Sequence, residues 1–120
     1  MFDHIALRTN QIETLVEFYE AVLAPLGHTK LASYDDGAGF GHDHPTLWIG
    51  EAEDEPSSVH IAFVAPDTAA VDAFYKAALA AGGEDNGAPG PRPDFAPGYY
   101  AAFVIDPDGN NLEAVHHQKA

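Results

Sequence analysis

The chain is written twice, and that repetition limits its possible folds more than any other feature. His4-Ile5-Ala6 recurs as His60-Ile61-Ala62, an offset of fifty-six positions, and the match runs without a gap to Gly27 and Gly83. Phe18-Tyr19 falls on Phe74-Tyr75, Ala21 on Ala77, Leu23 on Leu79 and Ala24 on Ala80, so nine of twenty-four aligned positions are identical. A unit of about fifty residues buries too little surface to stand alone. The two copies must therefore share a structure, within one chain or across two.

Each copy opens on an alternating run, Phe2 to Arg8 and Val59 to Val64, that reads as a strand. Ile5 and Leu7, like Ile61 and Phe63, share one face, which turns His4 and His60 to the other. A helix follows in each. Asn10 with Glu13 has capping-box spacing, and Asp67 is placed to cap the second helix. Leu15, Phe18, Tyr19, Val22 and Leu23, matched by Val71, Phe74, Tyr75, Ala78 and Leu79, form stripes at helical period that should pack on a sheet. Gly27 and Gly82-Gly83 should stop the helices.

Three further strand-like segments follow in both halves: Thr29–Tyr34, Ala38–Gly41 and Thr46–Gly50, then Glu84–Gly87, Tyr99–Ile105 and Asn111–His116. The expected class is α+β: two tandem βαβββ modules, residues 1–50 and 58–117, joined by an acidic linker at 51–57 and building a curved, cup-shaped mixed sheet with helices outside. Residues 1–120 would form one domain.

Nineteen acidic against five basic residues give a formal charge of −14, which repels phosphate backbones and anionic lipid headgroups. Nucleic acid and membrane are poor partners for such a surface, and no apolar run approaches the length of a membrane span. The expected location is cytoplasmic. There is no cysteine, so any metal must be held by His and carboxylates.

Asp106-Pro107-Asp108-Gly109-Asn110 reads as a tight hairpin turn. If Asp106 pairs with Asn110 around a Gly bulge, Phe103 lies opposite Glu113, and Tyr99 and Ala101 share the Glu113 face. A carboxylate between Leu112 and Ala114 needs a partner if it is buried.

An early Asp-His-Ile, a second His-Ile-Ala-Phe at the start of the repeat, and a final Asp-Pro-Asp-Gly-Asn-Asn-Leu-Glu together resemble the motif set of the vicinal oxygen chelate superfamily of glyoxalases, bleomycin-resistance proteins and dioxygenases. The resemblance covers essentially the whole chain. It implies metal ligands at His4, His60 and Glu113 holding one divalent ion, with Fe, Mn, Zn and Ni all compatible with the donor set. Open coordination positions would then receive neighbouring oxygens of a small-molecule ligand.

Aligning Thr46-Leu47-Trp48 with Asn111-Leu112-Glu113 puts Trp48 where glyoxalase I-like sites have a fourth ligand, which argues against that reaction. The catalytic Thr and Tyr of fosfomycin-resistance enzymes correspond to Ala6 and Phe103, which argues against that one too. Tyr99 is the candidate acid-base group beside Glu113, with Tyr100 as the fallback. Arg8, Trp48, Tyr99, Tyr100 and Phe103 are the candidate substrate-binding residues. His42, His44, His116 and His117 receive no ligand role, although alternation puts His117 on the Glu113 face. The stiff 86–98 segment could wall the mouth of the cup or cover a core edge.

The leading expectation is a metal-dependent enzyme of lyase, isomerase or dioxygenase type acting on a small oxygenated molecule. The alternative is a non-catalytic small-molecule binding protein of the bleomycin-resistance kind. The resemblance also implies a homodimer, with exchange of modules between chains left open.

Overall fold

The computed structural model describes residues 1–119. The first half runs β1 (Ile5–Thr9), α1 (Ile12–Leu23), β2 (Thr29–Tyr34), β3 (Gly37–Gly41) and β4 (Leu47–Glu51). The second runs β5 (His60–Val64), α2 (Thr68–Ala80), β6 (Glu84–Asp85), β7 (Gly90–Pro91), β8 (Tyr99–Ile105) and β9 (Asn111–His117). One sheet has the order β1-β4-β3-β2; the other has the order β5-β9-β8-β6, with β7 also paired to β8. In each, the opening strand lies parallel to the closing strand while the remaining pairings are antiparallel. The repeat is thus realised as two open mixed sheets of one design.

One hydrophobic core runs through both halves. Leu15, Phe18, Tyr19, Val22 and Leu23 of α1 are buried, as the helical period predicts, and so are Val71, Phe74 and Ala78 of α2. Leu79 departs from the stripe and stays 40% exposed, because the buried face of α2 turns toward the small residues Ala70 and Ala78. The helices pack on each other and on the core-facing side of the sheets, which leaves His4 and His60 on the faces turned away from them.

The caps divide. Asp67 accepts a hydrogen bond from the Ala70 amide at 2.8 Å and starts α2 as expected. Asn10 does not cap α1: the N-cap is Gln11, without a side-chain cap bond, and the Asn10 amide instead donates to the Asp54 carbonyl at 3.2 Å. Asn10 is engaged in tying the linker back to the first module, so its side chain cannot also reach the helix start. The segment expected as a strand at Glu84–Gly87 pairs only over Glu84–Asp85, after which the chain bulges at Gly87 and pairs again at Gly90–Pro91.

A buried carboxylate fastens the halves together. Asp106, 4% exposed, accepts the Tyr19 hydroxyl at 2.6 Å, the Asn110 side-chain amide at 2.8 Å, and the Asp108 and Asn110 backbone amides at 2.9 Å each. Its charge is dispersed over four donors, which is how a buried carboxylate is tolerated. Gln11 of the first half also donates to Asp108 at 2.6 Å and to the Pro107 carbonyl at 3.2 Å. Burial, reinforced by Asp106, pushes the Tyr19 phenol far above its ordinary value, so it stays a donor at every physiological pH. Among the described residues, no helix is long and apolar enough to cross a membrane.

Candidate metal and ligand site

The turn that latches the halves also sets the site. The Asp106 amide donates to the Asn110 carbonyl at 2.9 Å, and Gly109 takes φ +90°, the left-handed conformation that glycine adopts without strain. The β8–β9 register follows as expected: Phe103 opposite Glu113, Ala101 opposite Val115 and Tyr99 opposite His117. Strand β5 lies parallel on the other side of β9 with Ala62 beside Glu113, so His60, two residues earlier, shares that face.

His60 and Glu113 meet. His60 Nε2 lies 2.9 Å from Glu113 Oε1, and the carboxylate is only 2% exposed. The Tyr99 hydroxyl donates to the other oxygen, Oε2. Partial burial, with Glu113 adding its hydrogen bond and charge, pushes the Tyr99 phenol up to about 12. Tyr99 therefore keeps its proton near neutrality and serves as a donor. Around this trio, Phe103 lies 6.3 Å from the His60 ring, Phe95 makes edge contacts with Tyr99 and Phe103, and His117 makes one with Tyr99.

The 86–98 segment walls this face. Arg92 holds it, donating to the Ala88 carbonyl at 2.7 Å and the Gly90 carbonyl at 2.9 Å while its guanidinium sits 5.5 Å from the Phe103 ring centroid. Neither Arg92 nor Phe95 stands out in the sequence, where both are hidden among prolines. The available signal was an arginine, one of only two in the chain, in a stretch stiffened by four prolines.

His4 lies elsewhere. On the first sheet it is hydrogen-bonded through Nδ1 to Asp3 at 2.6 Å, an interaction that holds the Asp3 carboxyl below its ordinary range. His4, Ala6, Arg8 and Trp48 line a groove of about 360 Å³ with Tyr34 and Asp36 on it, and no residue of the second half contributes. Among the described residues of one chain, no three His, Asp or Glu side chains converge as a ligand set. The donors nonetheless suit a divalent ion in two parts: a buried carboxylate already paired with an imidazole nitrogen on one face, and a solvent-facing imidazole at the repeat-equivalent position of the other.

Tyr100 is not in the site. Alternation along β8 points it to the helix side, where its hydroxyl donates to Asp72 at 2.7 Å and its phenol is raised mainly by that bond. His116 likewise turns away, to the Ala65 carbonyl at 3.0 Å. His42 sits in an exposed loop near the Gly27 carbonyl and Asp43, and His44 is exposed as well.

A family model described as Glyoxalase/Bleomycin resistance protein/Dioxygenase superfamily matches residues 1–114. Among solved structures, a glyoxalase/bleomycin resistance protein from Albidiferax ferrireducens is 28% identical with a TM-score of 0.85, covering 98% of this chain and 99% of its own. A glyoxalase/bleomycin resistance protein/dioxygenase family enzyme from Burkholderia phytofirmans is 19% identical with a TM-score of 0.76, covering 97% and 98%. Lactoylglutathione lyase from Agrobacterium tumefaciens is 21% identical with a TM-score of 0.68, covering 97% and 92%. The latter two likenesses concern the fold alone. No curated protein matches the chain.

Proposed function

Because this chain belongs to the glyoxalase/bleomycin resistance protein/dioxygenase superfamily, we propose that it is a metal-dependent enzyme whose site is completed by a second copy. His60 and Glu113 of one chain would hold one divalent ion together with His4 of the other. The observation that carries this reading is the His60–Glu113 pair at 2.9 Å, with Glu113 buried, set against a His4 that faces solvent on the equivalent strand. The edge strands support association: β1 and β5 end their sheets, and Phe2, Ile5, Val59 and Val64 on or beside them are exposed apolar side chains.

When bound, an ion in such a two-His, one-carboxylate setting supplies Lewis-acid polarisation of substrate oxygens. The chain's own residues do the rest. Tyr99 orients Glu113 by donating to Oε2 and remains protonated near neutral pH, which suits it to deliver a hydrogen bond or proton rather than to remove one. Phe95 and Phe103 exclude water from that carboxylate. Trp48, in register with Ala6 as Glu113 is with Ala62, denies the site a fourth protein ligand. The substrate is a small molecule with neighbouring oxygens, and the reaction is of lyase, isomerase or dioxygenase type.

The aromatic lining of both faces favours a second reading, a sequestering protein that holds a ligand without turning it over. Metal analysis of protein purified without a His tag separates the two. The enzyme reading expects about one first-row ion per chain and its loss, together with loss of ligand affinity, in His60→Ala. Retained affinity without metal would establish the binding module instead.

A further inference from the structure

We propose that the groove of the first sheet is a subsite for a planar aromatic carboxylate carrying one negative charge. This deepens the function proposed above, and rests on it in assigning the groove to the same cavity as the His60–Glu113 pair. The groove's own geometry carries the rest.

Strand β3 reads Gly-Ala-Gly-Phe-Gly. Ala38 and Phe40 enter the core, so alternation turns Gly37 and Gly39 to the groove side. In register, Gly39 stands beside Trp48, and Gly50 stands between Gly37 and Arg8. A Cβ on Gly39 would come within 2.8 Å of Trp48 Cζ3 and 2.9 Å of Cε3, so the indole lies in the space a side chain would fill. A Cβ on Gly50 would meet Arg8 Nη1 at 3.1 Å, so the guanidinium lies over that glycine in the same way. Missing side chains on the sheet thus make beds for one aromatic plane and one cationic plane in the same groove.

The guanidinium has donors to spare. Its one side-chain hydrogen bond, to the Glu51 carbonyl, is long at 3.5 Å. Among the described residues no carboxylate lies within ion-pair distance of it, although the chain carries nineteen acidic residues. An arginine fork fits a carboxylate through two parallel bonds, and an indole face accepts a stacked ring. Asp36 on the same groove and the net charge of −14 disfavour ligands carrying two negative charges. One ring and one carboxylate match what is offered. Tyr34, 64% exposed at the rim, adds a second aromatic edge.

The probe is 4-fluorobenzoate, followed by fluorine NMR on the full chain, metal-loaded and after EDTA. Saturable binding is expected, at least tenfold tighter than that of 4-fluorobenzamide, which keeps the ring and lacks the charge. Cyclohexanecarboxylate, which keeps the charge and lacks the plane, should compete at least tenfold more weakly. Arg8→Gln should weaken binding at least tenfold, Arg8→Lys less, and Trp48→Leu severalfold, with circular dichroism verifying the fold of each. Absence of binding, equal binding of either comparator, or wild-type affinity in Arg8→Gln overturns the subsite. The two proposals fail separately: lost probe binding with metal content intact removes this one, whereas probe binding to a protein that takes up no metal removes the metalloenzyme.

Discussion

The two halves of the molecule are built to one plan and equipped for different tasks. Trp48 and Glu113 occupy equivalent positions, beside Ala6 and Ala62, yet one is an indole lying over Gly39 and the other a buried carboxylate facing Phe103. Arg8 and Val64 are likewise equivalent by the repeat, one charged and one apolar. The two copies share one strand frame, but the second places a buried carboxylate beside an imidazole, while the first places an indole and a guanidinium over glycines. Among the described residues no three His, Asp or Glu side chains converge within one chain, and the proposed function gives a second copy the role of completing the set.

Mixing the halves gives the largest expected effect. If chains exchange modules, His4→Ala and His60→Ala each lose metal alone, but their co-expressed mixed dimer holds one intact site and recovers about half the metal content. An unexchanged dimer would recover none, and metal analysis of the purified mixed dimer reads the difference directly.

The turns that close the two sheets sharpen the contrast next. Asp106→Ala leaves four donors, three of them buried, without their acceptor and should cost roughly 3 kcal/mol in urea unfolding. Asp43→Ala, in the exposed loop of the first half, should change stability by less than about 0.5 kcal/mol. Comparable losses at both sites would refute the asymmetry.

The helix starts differ by less. Asp67→Ala removes a real cap and should cost about 1 kcal/mol, whereas Asn10→Ala caps nothing and should cost a few tenths. Equal midpoints of thermal unfolding would contradict that assignment.

Smallest is the alkaline behaviour of Tyr99. Its folded-state value is raised to about 12 from 10, so the stability it contributes is complete below pH 10 and disappears as pH rises through 12. Tyr99→Phe should lack that contribution already at pH 7 and show a flatter profile through the alkaline window, as chemical denaturation at stepped pH would show. A profile as steep as wild type would remove Tyr99 from the account.

Much of this was legible from residue order alone. The fifty-six-residue offset announced two βαβββ units, and the Asp106-to-Asn110 turn foretold which residues of β8 oppose Glu113, because turn geometry and strand parity are local. Tyr99 and His117 followed from the same parity. The limits are equally specific. Asn10 has capping-box spacing but is occupied by the linker carbonyl of Asp54, a partner forty-four residues away. Tyr100 was a fallback that alternation alone could have excluded once its strand was fixed. The glycines of β3 were an unread signal: Gly39 leaves room for the Trp48 indole, and Gly37 and Gly41 let neighbouring backbone approach where a side chain would collide.

Residue order by itself determined the repeat, the core stripes of both helices, the closing turn and the register it imposes, because these follow from periodicity and from contacts between near neighbours. Only the tertiary structure decided that His60 reaches Glu113 while His4 stays on the first sheet facing solvent, and that Tyr19 of one half is bonded to Asp106 of the other. Those outcomes depend on how two sheets are set around shared helices. That arrangement is chosen by the summed burial of a common core rather than by any short stretch of chain.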